Sequence, residues 1–391
     1  MLNELEITRN RKVLIFASPI QPGKGITGAA IGTEVVSCFF VERFDVTRVS
    51  LRAHGFHAIN SSIIRRIVSS SHAVLNSIRS IFEFCVVLRR KGSFEFVYFV
   101  PGASTLGILR NGLIVLLTKK CAPKAKIVMH SRNGNYFEDR NWILNAVMAY
   151  THNKCSCFIV LSKHLLPVEI GQIGLEEKKV WVIPNTIDSE LEPVSSNACL
   201  ERKGCRISVL YFSNYIPEKG YIVLLKAIEK LCNLGLEDNF DFILRGSWIS
   251  NESEKIAQEL TKHLKLLGAS VDLGGAVNDR PEAQQLYASA DIFCLPTFYA
   301  AEAQPRSIIE AMANGCVVIS TSYRGILDLV ENQGNGLLIP AVTVDALTTA
   351  FIELMNSDLT SKKMRSLELY KEKFRREKVG EKLFKMMESI D

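Results

Sequence analysis

The chain has no D-x-D pair, no His or Cys set at metal-ligand spacing and no P-loop sequence. No required metal is therefore expected, and no Walker-type phosphate cradle. No apolar stretch runs unbroken for about 18 residues, the length a membrane-crossing helix needs, and the first residues, MLNELEITRN, are polar. Neither a signal peptide nor a transmembrane helix is expected. The closest candidate, Tyr98 to Leu117, contains Pro101, Arg110 and Asn111 and reads as a strand end followed by a helix. Ten cysteines show no disulfide-framework spacing, and Cys155-Ser-Cys157 is too close for a C-x-x-C redox or zinc pair. Cys38, Cys85, Cys294 and Cys316 sit in apolar runs, as buried thiols do, which fits a reducing cytoplasm. No internal repeat or low-complexity tract is present.

At 391 residues with 47% hydrophobic content the chain is longer than most single domains, so two are expected. Apolar runs alternate with helical segments: KVLIFAS, FEFVYFV, AKIVMH, CFIVLS and VWVIP, then RISVLYFS, FDFILRG, SVDLGG, DIFCLP, CVVIST and GLLIP. Short apolar strands between helices argue a parallel sheet in each half. The polar, aperiodic stretch after Asp188 sets the boundaries: a first domain over 1–188, a linker over 189–205, a second domain over 206–370 and a terminal helix over 371–391.

Charge divides along the chain. Residues 1 to 185 carry 24 Lys or Arg against 12 Asp or Glu, and residues 186 to 391 carry 23 against 29. From Arg43 to Lys91 the basic residues Arg48, Arg52, Arg65, Arg66, Arg79, Arg89 and Arg90 interleave with Ile63, Ile64, Ile67, Val68, Leu75, Ile78, Ile81 and Phe82. Such a segment suits either an anionic membrane surface or a solvated helix pair. Nucleic acid is not expected, because aromatics are sparse among these charges and no recognition motif occurs.

The stretch Pro296 to Val330 carries the most chemistry. A buried strand ends at Pro296, and Ile308, Ile309, Met312 and Ala313 place a helix over Pro305 to Asn314, closed by Gly315. Glu302 falls on the loop and Glu310 inside the helix. Backbone NH groups near Gln304 to Ser307 would face a ligand beside Glu302, and a helix start attracts phosphate oxygens. The pattern suits a phosphorylated ligand bearing hydroxyls, while solvated charges at a helix end remain the plain alternative.

This stretch resembles the E-x7-E signature of the retaining glycosyltransferases of family 4, the glycosyl transferases group 1 type. Pro296, Glu302, Glu310, Ala311, Met312, Ala313, Gly315 and Val317-Val318 match it, with Gln304-Pro305 where Phe-Gly is usual. Further matches are NYIPEKG at Asn214 to Gly220, VIPNTID at Val182 to Asp188, His130 and NGLLIP at Asn335 to Pro340. The resemblance implies an α/β protein of GT-B fold: two Rossmann-like domains whose parallel sheets face across a cleft, with a terminal helix returning to the first. It implies transfer of a sugar, with retention, from a UDP- or GDP-sugar substrate to a glycan acceptor, lipid-linked, in bacterial surface polysaccharide synthesis, with no cofactor. The protein would act in the cytoplasm, peripheral on the inner membrane face. Glu302, His130 and Lys219 are the implied catalytic groups, Glu302 holding the sugar hydroxyls and Glu310 the ribose.

Lys219 follows a strand and precedes a helix, where its ammonium could reach a diphosphate. Asn214 stands where the resembled turn has Arg, so one cation is missing, with Arg245 or Arg306 as candidate substitutes. Gln304, Pro305 and Arg306 complete the donor-binding set, with Gly25 and Gly28 from the first domain. The spelling G-x-G-x-x-G at Gly23 to Gly28 is not a dinucleotide fingerprint, because Ser18 to Pro22 separates it from its strand. Other readings are a nucleotide-sugar epimerase of the same fold and a non-catalytic scaffold subunit.

Overall fold

The computed structural model describes residues 11–18, 28–51, 63–90, 93–192 and 205–390, the side chains of 28, 29, 63–73 and 189 excepted. The chain forms two compact units, one running to Pro184 and resumed at Gly380, the other Asn185–Val379.

The first unit holds a six-stranded sheet ordered β2-β1-β3-β4-β5-β6. Its strands are β1 (Lys12–Ala17), β2 (Asp45–Ser50), β3 (Phe96–Phe99), β4 (Lys126–Ser131), β5 (Cys157–Val160) and β6 (Val180–Val182). All pairings are parallel, Val13 facing Phe96 and Val128 facing Cys157. Central strands read as unbroken apolar runs because both faces are covered. β2, DVTRVS, does not: it is an edge strand paired only with β1, and its mixed, half-exposed residues hid it from a reading based on apolar runs. Around the sheet lie α1 (Gly28–Arg43), α2 (Ile63–Arg90), α3 (Thr105–Cys121) and α4 (Trp142–Lys154). Ser104 caps α3 by accepting from the Gly107 NH at 3.2 Å, and Asn141 caps α4 through the Leu144 NH at 3.0 Å. As expected, Tyr98 to Leu117 divides between strand and helix. No helix of the described residues is long and apolar enough to cross a membrane.

The second unit repeats the plan with the order β12-β11-β10-β7-β8-β9. Its strands are β7 (Ile207–Phe212), β8 (Phe240–Arg245), β9 (Ser270–Gly274), β10 (Ile292–Leu295), β11 (Val317–Thr321) and β12 (Gly336–Ile339). All six coincide with the apolar runs of the sequence. Its helices are α5 (Tyr221–Asn233), α6 (Asn251–Leu266), α7 (Arg280–Ser289), α8 (Arg306–Ala313), α9 (Val344–Met355) and α10 (Leu359–Leu369). One continuous core, running from Ile187 through Phe293 and Ile319 to Phe374, lies between sheet and helices.

The last helix, α11 (Arg376–Ser389), carries the chain back into the first unit. There Phe384 meets Phe39 edge-on at 6.4 Å and lies 3.9 Å beneath the Arg43 guanidinium. Among the four cysteines expected in the core, Cys294 and Cys316 are buried, Cys85 is half-buried, and Cys38 is exposed on α1. The apolar run around Cys38 is helical, so its neighbours turn inward while the thiol turns out.

Candidate active site

In a doubly wound sheet, ligands bind beyond the carboxyl ends of the strands where the strand order reverses. In the second unit that point lies between β7 and β10: the chain moves from β7 outward to β8 and β9, then returns to β10 on the other side of β7. The turn after β7 contains Asn214 and Lys219, and the loop after β10 contains Glu302. Two hydrogen bonds join these segments, Phe298 NH to Glu218 carbonyl at 2.8 Å and Thr297 hydroxyl to the same oxygen at 3.4 Å. Gly220 makes the approach possible. Its φ is +82°, and a Cβ there would lie 2.2 Å from the Pro296 carbonyl oxygen.

Lys219 and Glu302 form an ion pair, both side chains largely withdrawn from water. The Lys219 ammonium also lies 5.2 Å from the Tyr299 ring centroid. Glu302 belongs to the tight turn closed by its own NH on the Tyr299 carbonyl at 2.9 Å. Pro305 follows at the start of α8, contributing a favourable φ of −64° and no side-chain cap. The first turn of α8 is consequently an uncapped positive helix end beside a carboxylate and an ammonium.

Glu310 lies inside α8 and is nearly buried. Tyr287 donates its hydroxyl to Glu310 Oε2 at 2.7 Å, and Arg306 Nε stands 3.8 Å from Oε1. Burial first, and then the charge of Glu310, pushes the Tyr287 phenol well above its ordinary range, so it acts purely as a donor. Arg306 is buried, reaches Asp188 at 3.1 Å and keeps a buried Nη1 without an acceptor. Asp188 also receives Arg280 at 2.8 Å. Asn185 completes the frame: its NH donates to Gln304 Oε1 at 2.7 Å and its side-chain amide to the Gln304 carbonyl at 2.9 Å.

Lys219 and Glu302 thus meet beyond the carboxyl ends of β7 and β10, and Gln304, Pro305, Arg306 and Glu310 follow on the same loop and helix, Arg306 and Glu310 beside each other. Asn214 lies in the turn of Lys219, exposed, its carbonyl accepting from the Tyr211 hydroxyl at 3.2 Å. Gln304 and Arg306 have assigned partners, Asn185 and Asp188, and so help to hold the loop and helix in place. Arg245 is committed elsewhere: its guanidinium pairs with the Asp272 carboxylate and donates to the Leu244 and Asp272 carbonyls.

Tyr287, Asp188 and Asn185 escaped assignment to the site because their partners lie far along the chain. A buried tyrosine seeks a hydrogen-bond partner, yet only the structure shows which one. Among the described residues no group of three or more His, Cys, Asp or Glu is placed to hold a metal.

His130 belongs to the first unit. It is the penultimate residue of β4, paired with Ile159, and its ring is wholly buried. Tyr98 hydroxyl and His130 Nδ1 share a 2.8 Å hydrogen bond, while Nε2 is buried without a partner. Burial, and then the nearby charge of Arg132, pushes its pKa well below the ordinary histidine range. The ring is therefore neutral at neutral pH, with one nitrogen bearing a proton and the other an acceptor. Gly28 opens α1, while Gly25 lies outside the described residues.

Among known proteins, the chain is 31% identical over 132 residues to a Campylobacter jejuni protein named GalNAc-alpha-(1->4)-GalNAc-alpha-(1->3)-diNAcBac-PP-undecaprenol alpha-1,4-N-acetyl-D-galactosaminyltransferase, covering 34% of this chain and 33% of that one. It is 25% identical over 191 residues to the putative colanic acid biosynthesis glycosyltransferase WcaL of Escherichia coli K12, covering 47% and 45%. The chain thus spans between a third and a half of the length of these curated relatives. Two solved structures cover nearly all of it. Anabaena Alr3699/HepE in complex with UDP superposes with a TM-score of 0.71 at 17% identity, over 97% of this chain and 100% of that one. Sucrose-phosphate synthase from Thermosynechococcus elongatus gives 0.74 at 15% identity, over 97% and 99%. The architecture, two six-stranded parallel α/β units, is therefore that of the GT-B glycosyltransferases. Within that fold, residues 200–373, which hold every charged group of the site except Asp188, match the family model of the glycosyl transferases group 1.

Proposed function

We propose that the protein is a retaining glycosyltransferase of family 4, moving a sugar from a UDP- or GDP-sugar to a lipid-linked glycan in bacterial surface polysaccharide synthesis. The Lys219–Glu302 ion pair at the strand-order reversal, beside an uncapped helix start, is the observation that carries this reading. The UDP complex among the structural neighbours and the polysaccharide transferases among the sequence relatives support it.

In this reading the donor diphosphate takes Lys219 and the first NH groups of α8, which stabilise the negative charge of the departing nucleotide. Glu302, released from part of its bond to Lys219, accepts hydroxyls of the sugar. Glu310 accepts the ribose hydroxyls, its carboxylate held in place by Tyr287. The unsatisfied Nη1 of Arg306 supplies a further donor beside it. Transfer proceeds on one face of the sugar, with no metal required and no covalent role assigned to Glu302. The acceptor is met at the inner face of the cytoplasmic membrane.

The decisive experiment is donor consumption and glycan product formation by Glu302→Gln and Lys219→Met, with circular dichroism as a check on folding. Loss of transfer in both folded variants is expected. Full activity in both would reject the assignment, and product formation with inverted anomeric configuration would reject retention.

A further inference from the structure

Three adjacent helices of the first unit, α2, α3 and α4, turn large apolar side chains toward solvent. On α2, Leu75, Ile78 and Phe82 follow one another at helical spacing and are 57%, 56% and 70% exposed. On α3, Leu106, Leu109, Leu113 and Leu116 form a second exposed stripe at spacings of three and four residues. At the start of α4, Trp142 is 79% exposed. In an ordinary surface helix these faces are polar. Here the opposite face is already satisfied, since Phe84 and Leu88 of α2 and Ile108 and Val115 of α3 lie in the core.

The charges on the same helices have one sign. Their sequences contain nine Lys or Arg and a single acid, Glu83. Arg79, Arg89, Arg90 and Lys120 are exposed among or beyond the apolar stripes. Two copies of this face would bring like charges together, which disfavours self-association. An anionic bilayer meets both demands at once: its acyl boundary takes the leucines and phenylalanine, and its headgroups take the arginines and lysines. Tryptophan favours that boundary as well.

We propose that the α2–α3–α4 face is the surface by which this protein lies on an anionic lipid bilayer, inserting the leucine stripe of α3 and Phe82 of α2 below the headgroups. This refines the reading of a lipid-linked acceptor, because it assigns the contact to an apolar stripe on α3 as much as to the basic segment of α2. Vesicle binding requires no nucleotide sugar, so failure of this proposal and failure of the transfer reading are separable.

The test is sedimentation of the full chain with phosphatidylethanolamine/phosphatidylglycerol vesicles and with phosphatidylcholine vesicles, at low and high salt. Variants Leu109→Asp/Leu113→Asp and Phe82→Asp are compared with the parent. These side chains are exposed, so unchanged circular dichroism is expected. Binding to the anionic vesicles should weaken at high salt and fall about tenfold in the double variant. In the variants, donor hydrolysis without vesicles should be unaffected. The proposal is overturned if the parent fails to sediment with anionic vesicles or if the double variant binds as well as the parent. It is equally overturned if the substitutions change only the oligomeric mass measured by light scattering, which would assign the face to a second copy.

Discussion

The edge of the second sheet and the outer helices of the first unit break the ordinary division of polar and apolar groups in opposite directions. Around α8, charge is taken inward and each carboxylate is given a partner: Glu302 has Lys219, Glu310 has Tyr287, and Asp188 has two arginines. On α2 to α4, apolar side chains are turned outward without a covering element among the described residues. Buried charges cost desolvation that their pairing only partly offsets, and half-exposed leucines forgo part of the stabilisation that full burial gives. A fold optimised for stability alone would have neither. The first departure underlies the proposed transfer site, and the second the proposed lipid-facing surface.

The sharpest contrast comes from breaking the inward charge. Glu302→Gln and Lys219→Met should each lower transfer by roughly 10²–10³-fold, as loss of one electrostatic contact to the reacting groups does, measured as product formed per minute with folded protein. Next comes the approach of the two loops. Gly220→Ala needs a Cβ where the Pro296 carbonyl stands and a φ of +82°, so destabilisation of about 3 kcal/mol is expected in urea titration. A smaller loss at Gly220 would mean that the turn after β7 can move away from the β10 loop.

A pH effect of comparable size belongs to the first unit. His152 is buried between Tyr136 and the Ile173 carbonyl, and burial lowers its pKa to about 4. Its unfolded value is near 6.5, so between these two values the unfolded chain binds the extra proton. The stabilisation is full above about pH 6.5 and lost as pH falls toward 4, on the order of 3 kcal/mol in all. Denaturant midpoints measured across this window should fall with pH, and His152→Gln should flatten the slope. Smallest is Tyr287→Phe, which removes one hydrogen bond to Glu310 while keeping the ring. It should raise KM for the donor severalfold with kcat little changed. An unchanged KM would make Tyr287 a core residue with no part in ribose binding.

The sequence shows the β10–α8–β11 unit almost residue for residue, because buried parallel strands leave apolar runs and Pro305 and Gly315 bracket the helix between them. Lys219 and Glu302 are each legible as loop residues at strand ends for the same reason, but their pairing is seen only in the structure. β2 is not legible, since an edge strand tolerates Asp45, Thr47 and Arg48 where a central strand carries apolar residues. Burial of His130 is equally hidden, because its position near a strand end suits an exposed ring and a buried one alike. Beyond their own i,i+4 contact, the partners of Glu310 and Arg306, Tyr287 and Asp188, come from distant segments, which no local pattern encodes. Exposure of the α3 leucines is masked by composition: an all-round apolar helix reads as a core helix until its neighbours are placed.

Donor binding offers the most direct test of the central claim, that Lys219 and Glu302 form the sugar-nucleotide site. Calorimetric titration of UDP and GDP into the parent and Lys219→Met should show one nucleotide binding the parent and a loss of at least about tenfold in affinity in the folded variant. Equal affinity in the two proteins, or no binding of either nucleotide to the parent, would contradict it.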